Sequence, residues 1–116
     1  MNKDGCIFCQ IASGELPAEK VYETARVVAF KDIRPQAPVH ILVIPREHIE
    51  TVNHIQPEHR ELIGEMFLAA QEIAKKFGVA DSGYRTVFNC NRDAGQDVYH
   101  LHLHVLAGRK MTWPPG

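Results

Sequence analysis

The 116-residue sequence has no apolar run of the roughly 18–20 residues that a membrane-spanning helix needs. Its first residues, MNKDGCIFCQ, lack the apolar h-region of a secretory signal peptide, so we expect a cytoplasmic protein that does not associate with membranes. An excess of charge is also absent, because 13 lysines and arginines stand against 14 aspartates and glutamates. This balance gives no electrostatic reason to expect nucleic acid as a partner.

Cysteine is scarce as well. The sequence has three cysteines, and an odd number in an expected reducing compartment argues against a disulfide framework. We find no internal repeats and no low-complexity linker. With 45% hydrophobic and 23% charged residues, residues 1–116 are predicted to form a single globular domain.

The hydrophobic pattern predicts an α+β domain with a mainly antiparallel sheet. Strands are predicted at residues 22–23, 27–30, 39–45, 84–89 and 100–108. A short helix is predicted at residues 6–14, and one long helix begins near Pro57 and ends at Gly78. The long helix has one predicted apolar face, formed by Leu62, Ile63, Met66, Phe67, Ala70, Ile73, Ala74 and Phe77.

Three of the seven histidines stand at every second position of the segment YHLHLHV. In a strand, His100, His102 and His104 share one face about 6.6–7 Å apart, while the aliphatic residues between them pack under the long helix. The histidine face has three interpretations: an exposed polar surface, a metal site, or a catalytic site. Strict alternation of three histidines argues against the first.

The segment CIFC places Cys6 and Cys9 three residues apart near the start of the chain. Two buried cysteines on a helix are one interpretation, and a redox pair is another, although no thioredoxin-like βαβ pattern surrounds the segment. Half of a tetrahedral zinc site is the third, and it needs two further ligands.

The polar segment NCNRDAGQDV, residues 89–98, leads into the histidines and contains Gly95. Glycine lets the backbone approach a ligand closely, and successive N–H groups in such a turn can bind an anion. Its position before three histidines indicates a phosphate held by backbone donors and facing an imidazole.

At these motifs the sequence resembles a known family. HLHLHVL is similar to the signature of the histidine triad (HIT) nucleotide-binding proteins, and its surroundings resemble the Hint branch. Residues 30–49, FKDIRPQAPVHILVIPREHI, are similar to the Hint segment around a fourth active-site histidine, and residues 94–116 are similar as far as the terminal WPPG. The resemblance covers nearly the whole chain.

The resemblance implies a HIT-like fold in residues 1–116, with a five-stranded, mainly antiparallel sheet, one long helix and one short helix. It also implies a homodimer across which the sheet continues. Residues 103–116 would include the C-terminal tail that contacts the partner, with Trp113 packed near the partner's active site.

The implied activity is that of a purine nucleoside phosphoramidase, or a related hydrolase of AMP or GMP conjugates. His102 would attack phosphorus and form a nucleotidyl-imidazole intermediate. His104 and His40 would contact the phosphate or the leaving group, and His100 would orient His102 through its main-chain carbonyl. A nucleotide-binding or scaffold module with incidental catalysis is the alternative, against which the complete set of histidines argues.

The resemblance also implies a nucleotide pocket. Asp32 would bind the ribose hydroxyls. The base would lie among the apolar residues Ile7, Phe8, Ile11, Phe30, Ile33 and Leu42. The phosphate would be held by Asn89 and by the backbone of Gly95, Gln96, Asp97 and Val98. Asp97 stands where many Hint proteins have serine, and a carboxylate there should disfavour a phosphate.

Some members of the family, and the related galactose-1-phosphate uridylyltransferases, hold zinc with two such cysteines and two histidines. In this sequence the corresponding residues are Cys6, Cys9, His48 and His100. The predicted zinc would be structural, and catalysis would need no cofactor.

Overall fold

A five-stranded sheet forms the centre of the computed structural model, which describes residues 3–116. Its strands are β1 (Lys20–Glu23), β2 (Val27–Lys31), β3 (Val39–Pro45), β4 (Tyr84–Val87) and β5 (Leu103–Ala107). Their order across the sheet is β1-β2-β3-β5-β4, and each neighbouring pair is antiparallel. The predicted α+β class with an antiparallel sheet is confirmed.

Within residues 3–116, three helices and two 3₁₀ turns accompany the sheet. They are α1 (Ile7–Ser13), α2 (Arg60–Lys76), α3 (Asn91–Ala94) and the turns Val52–His54 and Pro57–His59. Helix α1 begins after Cys6, whose Sγ accepts a hydrogen bond from the backbone N–H of Cys9, and ends at the left-handed Gly14, as predicted.

The long helix starts later than its sequence predicts. Pro57 opens a separate 3₁₀ turn, and the backbone N–H of Gln56 donates to the His59 imidazole at 2.9 Å. Helix α2 therefore begins at Arg60. Gly78, with φ of 70°, follows its end and stops it as predicted.

Alternate residues of β2 and β3 face opposite sides of the sheet and bury two apolar clusters. The cluster under α2 contains Val27, Ala29, Ile41, Val43, Ile49, Leu62, Met66, Ala69, Ala70, Ile73, Leu101, Leu103 and Val105. The cluster under α1 contains Phe8, Ile11, Ala12, Val28, Phe30, Leu42 and Ile44. The aliphatic residues between the histidines thus pack under the long helix, as predicted.

Phe67 is the exception on the predicted apolar face of α2. Its side chain is 41% exposed and lies edge-on to Phe88, with 6.0 Å between the ring centroids. The neighbouring Leu68 is 59% exposed. Among residues 3–116, we find no helix with the length and apolarity that crossing a membrane requires.

Two predicted strands are shorter in the structure. β4 ends at Val87, and β5 begins at Leu103, so that His100 and His102 precede the strand on which His104 lies. The ladder between β4 and β5 stops at the Val87–His104 pair, which leaves the segment before Leu103 without a β4 partner. The rings of His102 and His104 are closer than strand spacing predicts, with 5.0 Å between their centroids.

Candidate active site

The imidazole of His102 has one nitrogen committed to the backbone and one that is free. Its Nδ1 lies 2.8 Å from the carbonyl oxygen of His100. Because a carbonyl oxygen can only accept, Nδ1 carries a proton, and the neutral tautomer that this contact selects has its lone pair on Nε2. The side chain is buried beside Phe8, with 5.2 Å between the ring centroids. The backbone contact therefore fixes the orientation of the His102 ring, and Nε2 makes no hydrogen bond among residues 3–116.

The sheet brings His40 and His104 together from β3 and β5. Leu42 is opposite His104 in the ladder and His40 is opposite Leu106, so the two histidines are diagonal neighbours on one face. His40 Nε2 lies 2.9 Å from His104 Nδ1.

A backbone amide determines the proton positions of this pair. The N–H of Gln36 donates to His40 Nδ1 at 3.0 Å, so a neutral His40 carries its proton on Nε2. His40 Nε2 then donates to His104 Nδ1, and a neutral His104 carries its own proton on Nε2. His104 can therefore donate a hydrogen bond to an oxygen or nitrogen atom of a ligand.

Burial keeps both histidines of the pair neutral. It lowers the pKa of His104 from 6.5 to about 4, and the neighbouring His102 and His40 lower it as well. Burial also lowers the pKa of His40, although the negative charge of Asp32 acts in the opposite direction.

Asp32 lies beside His40 at the end of β2. One carboxylate oxygen accepts from the backbone N–H of Arg34 at 2.8 Å, and the other lies 3.4 Å from His40 Nε2. Its side chain is 18% exposed, so the carboxylate is partly accessible to solvent. Asp32, His40 and His104 form one contiguous polar group.

The loop before the histidines offers fewer backbone donors than its sequence predicts. Asn89 follows β4, and Gly95 takes the left-handed conformation after α3. The N–H groups of Gly95 and Gln96 already donate to carbonyl oxygens within the loop, at 3.0 and 3.1 Å. Within residues 3–116, the N–H groups of Asp97 and Val98 have no hydrogen-bond partner. These two remain available to a phosphate.

The Gln96 side chain has a role that the sequence did not reveal. It is 7% exposed, and its Nε2 donates to the carbonyl oxygens of Glu50 and Val98 at 2.9 and 3.0 Å. Its Oε1 accepts from the N–H of Asn91 at 2.9 Å. Gln96 therefore fixes the loop from within, and a glutamine in a polar loop gives no sequence signal for such a role.

The predicted base pocket is divided in the structure. Phe8, Ile11, Phe30 and Leu42 are buried together between α1 and the sheet, each at most 7% exposed. Ile7 and Ile33 are instead 46% and 93% exposed. The four buried residues pack in this apolar cluster, the two isoleucines offer open apolar surface, and the base pocket remains a prediction.

Cys6, Cys9, His48 and His100 form a second cluster, with all four ligand atoms within 4.8 Å of one another. His100 Nδ1 lies 3.3 Å from Cys6 Sγ, 3.5 Å from Cys9 Sγ and 3.2 Å from His48 Nδ1. Cys9 Sγ lies 3.4 Å from His48 Nδ1. Ligand atoms around a tetrahedral zinc ion are separated by about 3.3–3.8 Å, given Zn–S and Zn–N bonds of about 2.3 and 2.0 Å.

The protonation of the two histidines also suits a metal ion. His100 Nε2 donates to the carbonyl oxygen of Pro45 at 2.8 Å, which leaves Nδ1 unprotonated toward the cysteines. Burial lowers the pKa of His100 to about 4 and also lowers the pKa of His48, so both are in the neutral form that binds metal. The cluster therefore fits zinc in donor type and spacing, and His100 presents an unprotonated nitrogen to it.

The sequence of this chain is similar to those of several known proteins. Residues 5–113 match the family described as "Scavenger mRNA decapping enzyme C-term binding". Over 105 residues the chain is 48% identical to the purine nucleoside phosphoramidase of Escherichia coli strain K12. The matched region covers 90% of this chain and 88% of that protein. The chain is also 48% identical over 103 residues to protein HitA of Neisseria gonorrhoeae, covering 89% of this chain and 95% of that protein.

Solved structures show the same fold. The crystal structure of a HIT family hydrolase from Legionella pneumophila Philadelphia 1 superposes with a TM-score of 0.95 at 51% identity, covering 97% of this chain and all of that one. A histidine triad protein from Clostridium difficile superposes with a TM-score of 0.94 at 44% identity, covering 97% of each chain.

The low pKa of His104 predicts a pH dependence of folding. The unfolded chain binds a proton at this histidine below pH 6.5, whereas the folded chain binds it only near pH 4. The free energy of unfolding should therefore fall as the pH decreases through this window, and this contribution should be constant above it. Urea denaturation at about pH 7.5, 5.5 and 4.5 measures the slope.

A matched variant isolates this contribution. His104→Gln removes the titrating group, while His100, which has a similar pKa, contributes equally to both proteins. The variant should lose less stability than the wild type between the two extremes of pH. Equal slopes for the two proteins would contradict the assignment.

Proposed function

This chain belongs to the histidine triad (HIT) family, and we propose that it hydrolyses purine nucleoside phosphoramidates or related conjugates of AMP or GMP. The observation that carries the proposal is the hydrogen bond from His102 Nδ1 to the carbonyl oxygen of His100, 2.8 Å long, which leaves Nε2 as a nucleophile. A relative at 48% identity named purine nucleoside phosphoramidase supports the substrate class.

In the first proposed step, His102 Nε2 attacks phosphorus and forms a P–N bond to the imidazole. The bond between phosphorus and the substrate's amine nitrogen breaks, and the amine leaves with a proton taken from a water molecule at the site. His104 is placed to assist, because its Nε2–H can donate to a phosphate oxygen or to the departing nitrogen. The N–H groups of Asp97 and Val98 would hold the phosphate.

In the second step, water attacks the nucleotidyl-imidazole. The P–N bond to His102 breaks, the hydroxyl remains on phosphorus as the nucleoside monophosphate, and the proton of the water returns to the site. The carbonyl of His100 holds His102 in one tautomer through both steps, so the same Nε2 serves as nucleophile and as leaving group.

The nucleoside would lie toward Asp32, whose partly accessible carboxylate can accept hydrogen bonds from two adjacent ribose hydroxyls. Ile33, which is 93% exposed, would contact the base. A scaffold that binds nucleotides without turning them over would not need His102, His104 and His40 in a connected arrangement, so the geometry favours the enzyme.

We also propose that Cys6, Cys9, His48 and His100 hold one structural zinc ion. With four protein ligands the ion would have no open position for water or substrate, so its contribution would be to folding. These residues join α1, the segment after β3 and the segment before β5. Thiolate ligands fit the reducing cytoplasm expected for this protein.

A homodimer is the third part of the proposal. β4 lies at an edge of the sheet and can pair with a second copy of itself. Exposed Phe67 and Leu68 lie on α2, and Phe67 contacts Phe88 just after β4, so apolar surface adjoins this edge. Trp113 is 81% exposed, as expected for a side chain that packs on the partner.

Replacement of the nucleophile tests the mechanism. His102→Gln should lower kcat for an adenosine phosphoramidate at least about a thousandfold while AMP binding persists, because only the attacking nitrogen is lost. His104→Ala and His40→Ala should each lower kcat about a hundredfold. A coupled assay of AMP release measures the rates, and mass spectrometry after a neutral denaturing quench detects the covalent adduct.

The control is His54→Gln, because His54 has a 57% exposed side chain outside the site. It should retain wild-type rates and form the adduct. Substantial turnover by purified His102→Gln, or an adduct in that variant, would exclude His102 as the nucleophile.

Zinc content tests the metal site. Protein purified without a histidine tag should contain about one zinc per chain, and Cys6→Ser should lose zinc and melt at a lower temperature. Serine preserves the acceptor that caps α1, so a loss of stability would not come from the cap. Cys90→Ser, at a cysteine outside the cluster, should keep both. Less than about half an equivalent, with an unchanged melting temperature in Cys6→Ser, would rule out the site.

Sedimentation tests the dimer. The protein should sediment as a dimer at micromolar concentration, because β4 and the adjoining apolar residues lack cover in one chain. Deletion of residues 112–116 should change the relative rates of different substrates more than it changes the melting temperature. A monomer at that concentration, or a truncation that unfolds without altering substrate preference, would contradict this arrangement.

A further inference from the structure

Asp97 lies between the nucleophile and an open groove. One of its carboxylate oxygens is 3.9 Å from His102 Nε2, and its side chain is 86% exposed. The same residue lines a groove of about 490 Å³, which also includes Val98, Tyr99, Cys6 and Ile7. In an in-line attack by His102 the leaving group departs on the side of phosphorus opposite Nε2, and a flexible chain on that group can turn toward the Asp97 carboxylate and into the groove that begins there.

The groove carries negative charge beyond Asp97. Asp4 and Glu50 also line it, and its one cationic side chain among residues 3–116 is Lys3. The ammonium group of Lys3 is 3.0 Å from the Glu50 carboxylate, so it is already paired. Within the same described residues, Asp97 has no lysine or arginine within ion-pair distance.

A carboxylate beside the reacting phosphate is unfavourable for every substrate, since two negative charges repel. The repulsion is offset when the leaving group itself brings a positive charge to the carboxylate. A neutral leaving group experiences the repulsion without this compensation. The position of Asp97 therefore distinguishes between leaving groups of equal size and different charge.

We propose that Asp97 is a specificity-determining residue that favours nucleotide conjugates whose leaving amine carries a second, cationic group, and that the adjoining groove receives this group. The inference rests on the proposed phosphoramidate hydrolysis and names its substrate class more closely. The bonds are those of the first step: the P–N bond to the amine breaks, the bond to His102 Nε2 forms, and the amine departs with one added proton and its second charge unchanged.

The test compares two adenosine phosphoramidates of equal chain length. One carries 1,4-diaminobutane, whose free end is an ammonium group, and the other carries 4-amino-1-butanol, whose free end is a neutral hydroxyl. We expect the wild type to favour the cationic substrate about fivefold in kcat/KM, as for one solvent-accessible ion pair. High salt should reduce this ratio.

Two variants separate the effect of Asp97 from that of overall charge. Asp97→Asn keeps the shape and removes the charge, so the ratio should fall to about one, mainly through slower turnover of the cationic substrate relative to the neutral one. Asp93→Asn removes an equal charge from the same loop, where the side chain is 91% exposed and paired with Arg92. Its ratio should remain that of the wild type.

The outcomes distinguish this inference from the proposed function. If both substrates are hydrolysed with the same ratio by the wild type and Asp97→Asn, the specificity role is wrong and the hydrolase stands. An equal acceleration of both substrates in Asp97→Asn also overturns it, because the carboxylate would then only repel phosphate. If neither substrate is hydrolysed, the proposed function fails, and calorimetric binding of the two compounds to His102→Gln and to its Asp97→Asn double variant still measures the charge preference.

Discussion

The hydrogen bond from His102 to the carbonyl oxygen of His100 is the interaction on which the site depends. A main-chain carbonyl has no proton to give, so the contact determines which imidazole nitrogen is free as well as where the ring points. Main-chain groups also fix the proton positions of two other imidazoles. The carbonyl of Pro45 fixes the proton of His100, and the amide of Gln36 fixes that of His40. Backbone groups thus place the proton of His102 on Nδ1 and those of neutral His100 and His40 on Nε2.

These assignments explain how neighbouring histidines can differ in role. His100 directs an unprotonated Nδ1 at two thiols, His102 retains a free Nε2, and His104 carries a proton on its own Nε2. Burial lowers the pKa of His100 and His104 to about 4, so near neutral pH their proton positions follow from the hydrogen bonds. Three identical side chains can therefore take the three roles proposed for them, of metal ligand, nucleophile and hydrogen-bond donor, without any change of residue type.

The sequence could predict the features that leave a periodic trace. The bounds of β3, the alternation between histidine and aliphatic residues, and the Gly14 and Gly78 helix ends all follow from local patterns. The hydrogen-bond partners of the imidazoles could not be predicted, because every residue has a carbonyl and tertiary placement alone selects Pro45. The point at which the β4–β5 ladder ends could not be predicted either, because it depends on where β4 ends.

The resemblance to the family predicted which distant residues belong to one site, and local sequence patterns could not. It did not predict the contacts that each of these residues makes. Phe8 and Leu42, expected beside the base, are buried in the apolar cluster between α1 and the sheet. Gly95 and Gln96, expected to donate to phosphate, use their N–H groups to close the loop. A motif specifies residue types, whereas the number of free donors depends on hydrogen bonds that only the folded loop reveals.

Helix α1 connects the two clusters of the molecule. At seven residues it is too short to be stable alone, and packing must hold it in place. Its Phe8 lies edge-on to His102 and to His100, at centroid distances of 5.2 and 6.0 Å, while Cys9 contacts His100 on the other side. Because Phe8 and Cys9 are adjacent in α1, an interaction that holds Cys9 against His100 also holds Phe8 against His102. The thiol–imidazole cluster does not include the side chain of His102, yet through one short helix it restrains the position of the His102 ring.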